Sequence, residues 1–168
     1  MLVSDRLILR PFEENDAEGC PWFRDPGVMR WIPGGPDADL SVTAKRIAKY
    51  REHFKRHGFS KYVILERNSG VAIGDSGIMY LADTDMIELG YRIAPEFQGL
   101  GYATEAARSV LARIADLGIK EVWAIVHPEN DRSRVIIEQR LDFSFKGNYV
   151  YLRTMMNLYK KRLDHVRS

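Results

Sequence analysis

A chain of 168 residues, 45% hydrophobic and 29% charged, is long enough for one good core and far from the composition of disorder, so a single domain over residues 1–168 is expected. The formal net charge of +2 is too mild to argue for nucleic acid, though it suits a ligand carrying phosphates, and the one cysteine, Cys20, excludes an intramolecular disulfide and a cysteine-built metal cluster. No stretch approaches the roughly 20 apolar residues of a membrane span, which points to a soluble, cytoplasmic protein without a membrane partner.

In chain order, Arg6 to Phe12 carries the β-rich run Leu7, Ile8, Leu9 and reads as an opening strand. Asp16 is placed to cap a short helix, and Trp31 to Asp39 is the clearest break in the first half. Ser41 is positioned as N-cap of a helix through Arg56, with Ile47, Tyr50 and Phe54 on one face, a basic opposite face, and Gly58 as its stop. The period then changes. Phe59 to Glu66, Val71 to Tyr80 and Met86 to Ala94 have β-type patterns separated by short turn signals, which predicts an antiparallel meander. Ala103, Ala106, Ala107, Val110, Leu111, Ile114 and Leu117 follow helical spacing, ended by Gly118. Val122 to Val126 is apolar at every position, as in a strand covered on both faces. Strand, helix and strand in that order make a crossover between parallel strands, so the fold class is α/β with a mixed sheet. A helix from Asn130 to about Leu141, β-type runs after it and a frayed tail beyond Arg162 complete the expectation.

Gly99 and Gly101 stand where a strand hands over to a helix. Uncapped N–H groups with the positive end of the helix dipole behind them form an anion site there, and glycine lets phosphate oxygens approach the main chain. An isolated Gly-x-Gly is equally a plain tight turn, so context decides. A Walker loop is excluded because Tyr102, Ala103 and Thr104 follow Gly101 where Lys and Ser/Thr are required. A dinucleotide fold is excluded because an antiparallel meander precedes the turn.

Gln98 to Ala103, QGLGYA, matches the Gln/Arg-x-x-Gly-x-Gly/Ala signature of the GCN5-related N-acetyltransferases (GNAT family), and Pro128 to Ser133, PENDRS, resembles their Pro-Glu-Asn-x-x-Ser segment at the usual separation. RLILRPFEENDAE and DPGVMRWIPGGP resemble the branch containing the ribosomal-protein N-terminal acetyltransferases, so the resemblance covers most of the chain. It implies a GNAT-like acyl-CoA N-acyltransferase fold and an acetyl-CoA-dependent N-acetyltransferase that transfers directly to a primary amine without a metal. It further implies that Gln98, Gly99, Leu100, Gly101, Tyr102, Ala103 and Thr104 hold acetyl-CoA around its pyrophosphate. A backbone N–H between Tyr91 and Ile93 would face the thioester oxygen, and Asn130 and Ser133 would lie along the pantetheine arm.

Transfer to an amine needs a base, a stabilised oxyanion and a proton for the departing thiolate. Glu88, on the strand leading into the glycine turn, is the first candidate base, a role the resembling branch gives to a glutamate on this strand. An ordinary exposed carboxylate is the competing reading, because strand faces alternate. His127, at the end of the buried strand, is the second candidate, against a hydrogen-bonded structural histidine. Residues 133–141, SRVIIEQRL, lack the tyrosine that many family members use as the acid. That leaves Ser133 or water, and a thiol with a pKa of about 8.5 needs little help in leaving. Asp142 replaces the glycine of the usual Lys-Leu-Gly-Phe ending, which implies a lengthened or distorted helix end. Asn130 reads as an N-cap as well as a cofactor contact.

Cys20 has no evident histidine partner and reads as a buried thiol rather than an acetyl carrier. Trp31 with Gly34 and Gly35 reads as a wall of the acceptor pocket or as a loop anchor. Lys45, Arg46, Lys49, Lys55 and Arg56, and the run Lys160-Lys161-Arg162, read as solvated surface ahead of an RNA contact, and Glu105 as a helix-dipole partner. The acceptor is expected to be a protein N-terminal amine or a small amine. A CoA-binding module without catalysis is the alternative suggested by the missing tyrosine. Monomer and homodimer both fit the sequence.

Overall fold

A computed structural model describes residues 1–163, so residues 164–168 of the tail expected to fray lie outside the described residues. The strands are β1 (Leu2–Val3), β2 (Leu7–Pro11), β3 (Lys61–Glu66), β4 (Ala72–Tyr80), β5 (Ile87–Ile93), β6 (Glu121–Val126), β7 (Ser144–Tyr151) and β8 (Thr154–Arg162). The helices are α1 (Leu40–His57), α2 (Tyr102–Asp116) and α3 (Asp131–Val135). All eight strands join one sheet in the order β1-β2-β3-β4-β5-β6-β8-β7. Pairing is antiparallel except between β5 and β6, so the expected meander is β3-β4-β5 and the expected crossover is β5-α2-β6.

Local chemistry sets the element ends. α1 begins at Leu40 because the Asp39 carboxylate accepts the Val42 N–H at 3.1 Å; Ser41, expected as the cap, lies inside the helix. Gly58, with φ of 77°, closes it as expected. Asp16 does not cap a helix either. It sits third in the single 3₁₀ turn Glu14–Ala17, where it accepts the Glu13 N–H at 2.7 Å and pairs with Arg10 at 2.8 Å. The helix expected over 130–141 ends as the altered sequence implies. After Val135 it widens into the π-turn Ile136–Arg140, closed by Leu141 N–H to Ile136 O at 2.9 Å, and Asp142 takes φ of 55° where a glycine is usual.

One sheet face packs Leu7, Leu9, Ile64, Ile73, Leu89 and Ile93 against α2 and the turn after α3. The other packs Phe12, Trp22, Phe23 and Val63 against Ile47 and Tyr50 of α1. Period-two alternation divides β5 between the faces: Leu89, Tyr91 and Ile93 toward α2, and Glu88, Gly90 and Arg92 toward α1. In β6, Val122, Ala124 and Val126 are buried whereas Trp123 and Ile125 are half-buried, so this strand is fully covered on one face only. The expectation of cover on both faces therefore fails on the side of Trp123 and Ile125.

Gly77 of β4 illustrates how tightly the meander is built. A Cβ there would stand 2.2 Å from the Ser60 carbonyl oxygen and 2.5 Å from Lys61 Cα. Backbone cannot give way as a side-chain tip can, so Gly77→Ala is expected to cost about 1–3 kcal/mol, read as a lower urea midpoint at unchanged slope.

Candidate active site

β5 and β6 share a single register pair, Glu88 with Trp123, and diverge beyond it. β5 keeps its partner on the other side, since β4 runs in register as far as Gly74 with Ile93. The Ala94 N–H donates to Ile73 O at 2.8 Å, and ladder alternation then turns the N–H groups of Tyr91 and Ile93 away from β4, into the gap. The Ile93 carbonyl accepts Gln98 Nε2 at 2.9 Å, and Gln98 Oε1 accepts Arg132 Nη1 at 3.0 Å. The Gln98 side chain therefore braces the mouth of the gap from β5 to α3.

The glycine turn lies at that mouth. Gly99 and Gly101 have φ of 77° and 84°, a region that favours glycine, and nothing stands within 4 Å of where a Gly99 Cβ would be. α2 has no side-chain cap, and the N–H groups from Gly99 to Thr104 make no hydrogen bond among the described residues. A row of free amides ahead of a helix of 15 residues can receive an anion. Arg6 closes the rear: Nη1 donates to Leu100 O at 2.9 Å, the guanidinium lies 4.4 Å over the Tyr102 ring, and Nε pairs with Glu105 at 2.7 Å. Glu105 also accepts Ser4 Oγ–H, so it ties the N-terminal segment to α2 rather than serving the dipole alone.

Glu88 faces the α1 side of the gap. Burial pushes its carboxyl above the ordinary range, and the charges of Lys61 and Arg92 oppose that shift. It makes no ion pair within 4.0 Å among the described residues. Arg92 is committed elsewhere: Nη2 donates to Asp75 at 2.7 Å and to the Tyr50 hydroxyl at 3.0 Å. On the α2 side, the Tyr91 hydroxyl stands 2.8 Å from Ser133 Oγ, and burial holds Tyr91 protonated well beyond the usual tyrosine range. Asn130 Oδ1 accepts the Ser133 N–H at 3.2 Å and caps α3. A tyrosine hydroxyl thus reaches the site from β5, whereas sequence reasoning looked for one along residues 133–141. The odd spacing from Glu88 to Tyr91, which puts them on opposite faces, was the available signal.

His127 is the other candidate base. It follows β6, stacks on Trp31 with ring centroids 4.7 Å apart, and accepts the Glu129 N–H at Nδ1 over 3.2 Å. Trp31 and His127 thus join the loop before α1 to the end of β6. Cys20 is 1% exposed, and burial pushes its thiol far up, which agrees with an inert core residue. Of the basic residues on α1, Arg46 turns inward to Asp37 at 2.6 Å, while Lys45, Lys49, Lys55 and Arg56 are exposed.

A mixed sheet that splays beside a glycine turn of free amides defines a transferase of the acyl-CoA class. Residues 6–143 match the family of the acetyltransferase (GNAT) domain. The chain belongs to the GNAT family, and it is an acetyl-CoA-dependent acetyltransferase. The uncharacterized protein YkkB of Bacillus subtilis (strain 168) is 30% identical over 147 residues, 82% of this chain and 82% of that protein. An acetyltransferase from Agrobacterium tumefaciens str. C58 shares the fold with a TM-score of 0.82 at 24% identity, over 95% of this chain and 92% of that one. RimL, a ribosomal L7/L12 alpha-N-protein acetyltransferase solved with coenzyme A, shares it with a TM-score of 0.79 at 19% identity, over 97% of each chain. No helix among the described residues is long and apolar enough to cross a membrane.

Proposed function

We propose that this acetyltransferase works in the cytoplasm and moves the acetyl group of acetyl-CoA directly to a protein N-terminal amine, with Glu88 as the base. The observation that carries this reading is a desolvated carboxylate without an ion pair, set where β5 and β6 part. Acetyl-CoA supplies the activated acetyl thioester. The amides from Gly99 to Thr104 receive its pyrophosphate, and those of Tyr91 and Ile93 donate to the thioester oxygen. Glu88 takes the proton that the attacking amine must lose. From the opposite face, the Ser133 hydroxyl, backed by that of Tyr91, gives a proton to the departing sulfur. An α-amino group, with a pKa of about 8, sheds its proton far more readily than a lysine at about 10.4, so one carboxylate is enough help. The likeness to RimL supports a peptide terminus as acceptor.

Thiol release from acetyl-CoA tests this, with a pool of peptides bearing free N-termini beside a pool of polyamines and aminoglycosides. Release with the peptides is expected. Release with the small amines alone would overturn the acceptor class, and tight acetyl-CoA binding without release from either pool would favour a binding module.

A further inference from the structure

Lys61 is a lysine only 6% exposed, and its Nζ makes one hydrogen bond, to Gly77 O at 3.1 Å. Strand register explains its path. Lys61 lies opposite Gly77, and Gly77 lies opposite Gly90, so two glycines leave a trough across β4 and β5 on the α1 face. The lysine lies along that trough. A Cβ on Gly90 would be 2.6 Å from Lys61 Nζ and 3.7 Å from Glu88 Oε1, so both side chains end over the same residue. They nevertheless stand more than 4.0 Å apart. A buried ammonium needs a counter-charge, and Asp75 is already engaged by Arg92 and by Trp22 Nε1 at 2.8 Å. Glu88 is the carboxylate left to it.

We propose that Lys61 is a positioning residue of the acceptor site, which keeps Glu88 in its carboxylate form from a distance that leaves both carboxylate oxygens free to take a proton. This rests on the reading of Glu88 as base. Glu88 faces Lys61 from β3 and Arg92 from its own strand; behind Lys61 stand Asp75 on β4 and Arg46 on α1, and Tyr91 and Tyr151 both feel the Glu88 charge. Arg92 and Arg46 have carboxylate partners of their own, Asp75 and Asp37, whereas Lys61 has none in contact. Burial raises Glu88 and lowers Lys61, and each charge resists the shift of the other. An opposite charge at this range moves a carboxylate by about 1–3 pH units.

The test uses the full chain labelled with ¹³C-glutamate. The Glu88 carboxyl resonance is identified by its loss in Glu88→Gln, then titrated in the wild type, in Lys61→Met and in Gly90→Ala. The Glu88 midpoint is expected to rise by about 1–3 pH units in Lys61→Met. A smaller rise is expected in Gly90→Ala, whose methyl pushes aside a flexible side-chain tip without removing its charge. A midpoint unchanged in both variants overturns the proposal, and if Lys61→Met does not fold, Gly90→Ala decides alone. The acid limb of kcat/KM, measured with the peptide pool on the same proteins, separates this proposal from the one beneath it. A limb that moves with the resonance supports both. A resonance that moves while the limb stays shows that Lys61 holds the Glu88 charge but removes Glu88 as base, and with it the positioning role of Lys61.

Discussion

Glu88→Gln is expected to lower kcat/KM for an accepting peptide by about 10²- to 10⁴-fold, the range of a general base, while acetyl-CoA binding is retained. The amide keeps the shape of the carboxylate and cannot take a proton. The pH dependence carries the sharper signature. Only the carboxylate form accepts a proton, and burial raises this carboxyl, so wild-type kcat/KM should fall as pH drops through a value above the ordinary glutamate range. That limb should vanish in the variant. Stability has the opposite sign. A carboxyl whose folded pKa is raised adds stability below the unfolded pKa and loses it as pH climbs through the folded one, so at neutral pH the Glu88 charge is a cost to the fold. Glu88→Gln removes that cost while leaving Lys61 without its counter-charge, so its two effects on stability oppose each other and the loss of turnover is expected in a chain that still folds. Kinetics and thermal melts on one preparation distinguish this from a loss of fold, and undiminished turnover would pass the role to another group.

The fold was legible where side-chain period and turn chemistry agreed. The meander, α2 and the crossover follow from alternation, a row of small and apolar residues at helical spacing, and the glycines at its start. Helix starts were less so, because Asp39 and Ser41 are both good caps and local sequence does not say which N–H groups the first turn leaves unpaired. The partly open face of β6 was hidden because Val122 to Val126 is apolar at every position, and only tertiary packing shows which side is left partly exposed. The glycine turn could be read as an anion seat from its position alone. The splay of β5 from β6, the reach of Tyr91 to Ser133 and the lysine lying over Gly77 and Gly90 could not, since they depend on strand register and on how α3 docks beside β5, which local pattern does not fix.

Asp75→Ala is expected to cost about 3–5 kcal/mol of stability, as breaking a buried pair does. For a chain of this length each kcal/mol lowers Tm by about 2–4 °C, so the melt should shift by roughly 6–20 °C. Asp75 is fully buried and receives three N–H donors: Arg92 Nε at 2.9 Å, Arg92 Nη2 at 2.7 Å and Trp22 Nε1 at 2.8 Å. Its loss strands the Arg92 guanidinium, 10% exposed at the side chain, beneath Phe23 and Tyr50 with no carboxylate in contact. The ion pair itself need not be what the fold gains from, because its desolvation nearly offsets its attraction. Asp75→Leu combined with Arg92→Met should accordingly recover most of the loss. It should not recover all of it, since the Trp22 N–H would remain buried without an acceptor, at about 1–3 kcal/mol. Urea denaturation of the single and double variants reads both numbers. A single variant that loses less than about 1 kcal/mol would mean that Arg92 finds water when released, and the α1 face beside Glu88 would then be wetter than its packing indicates.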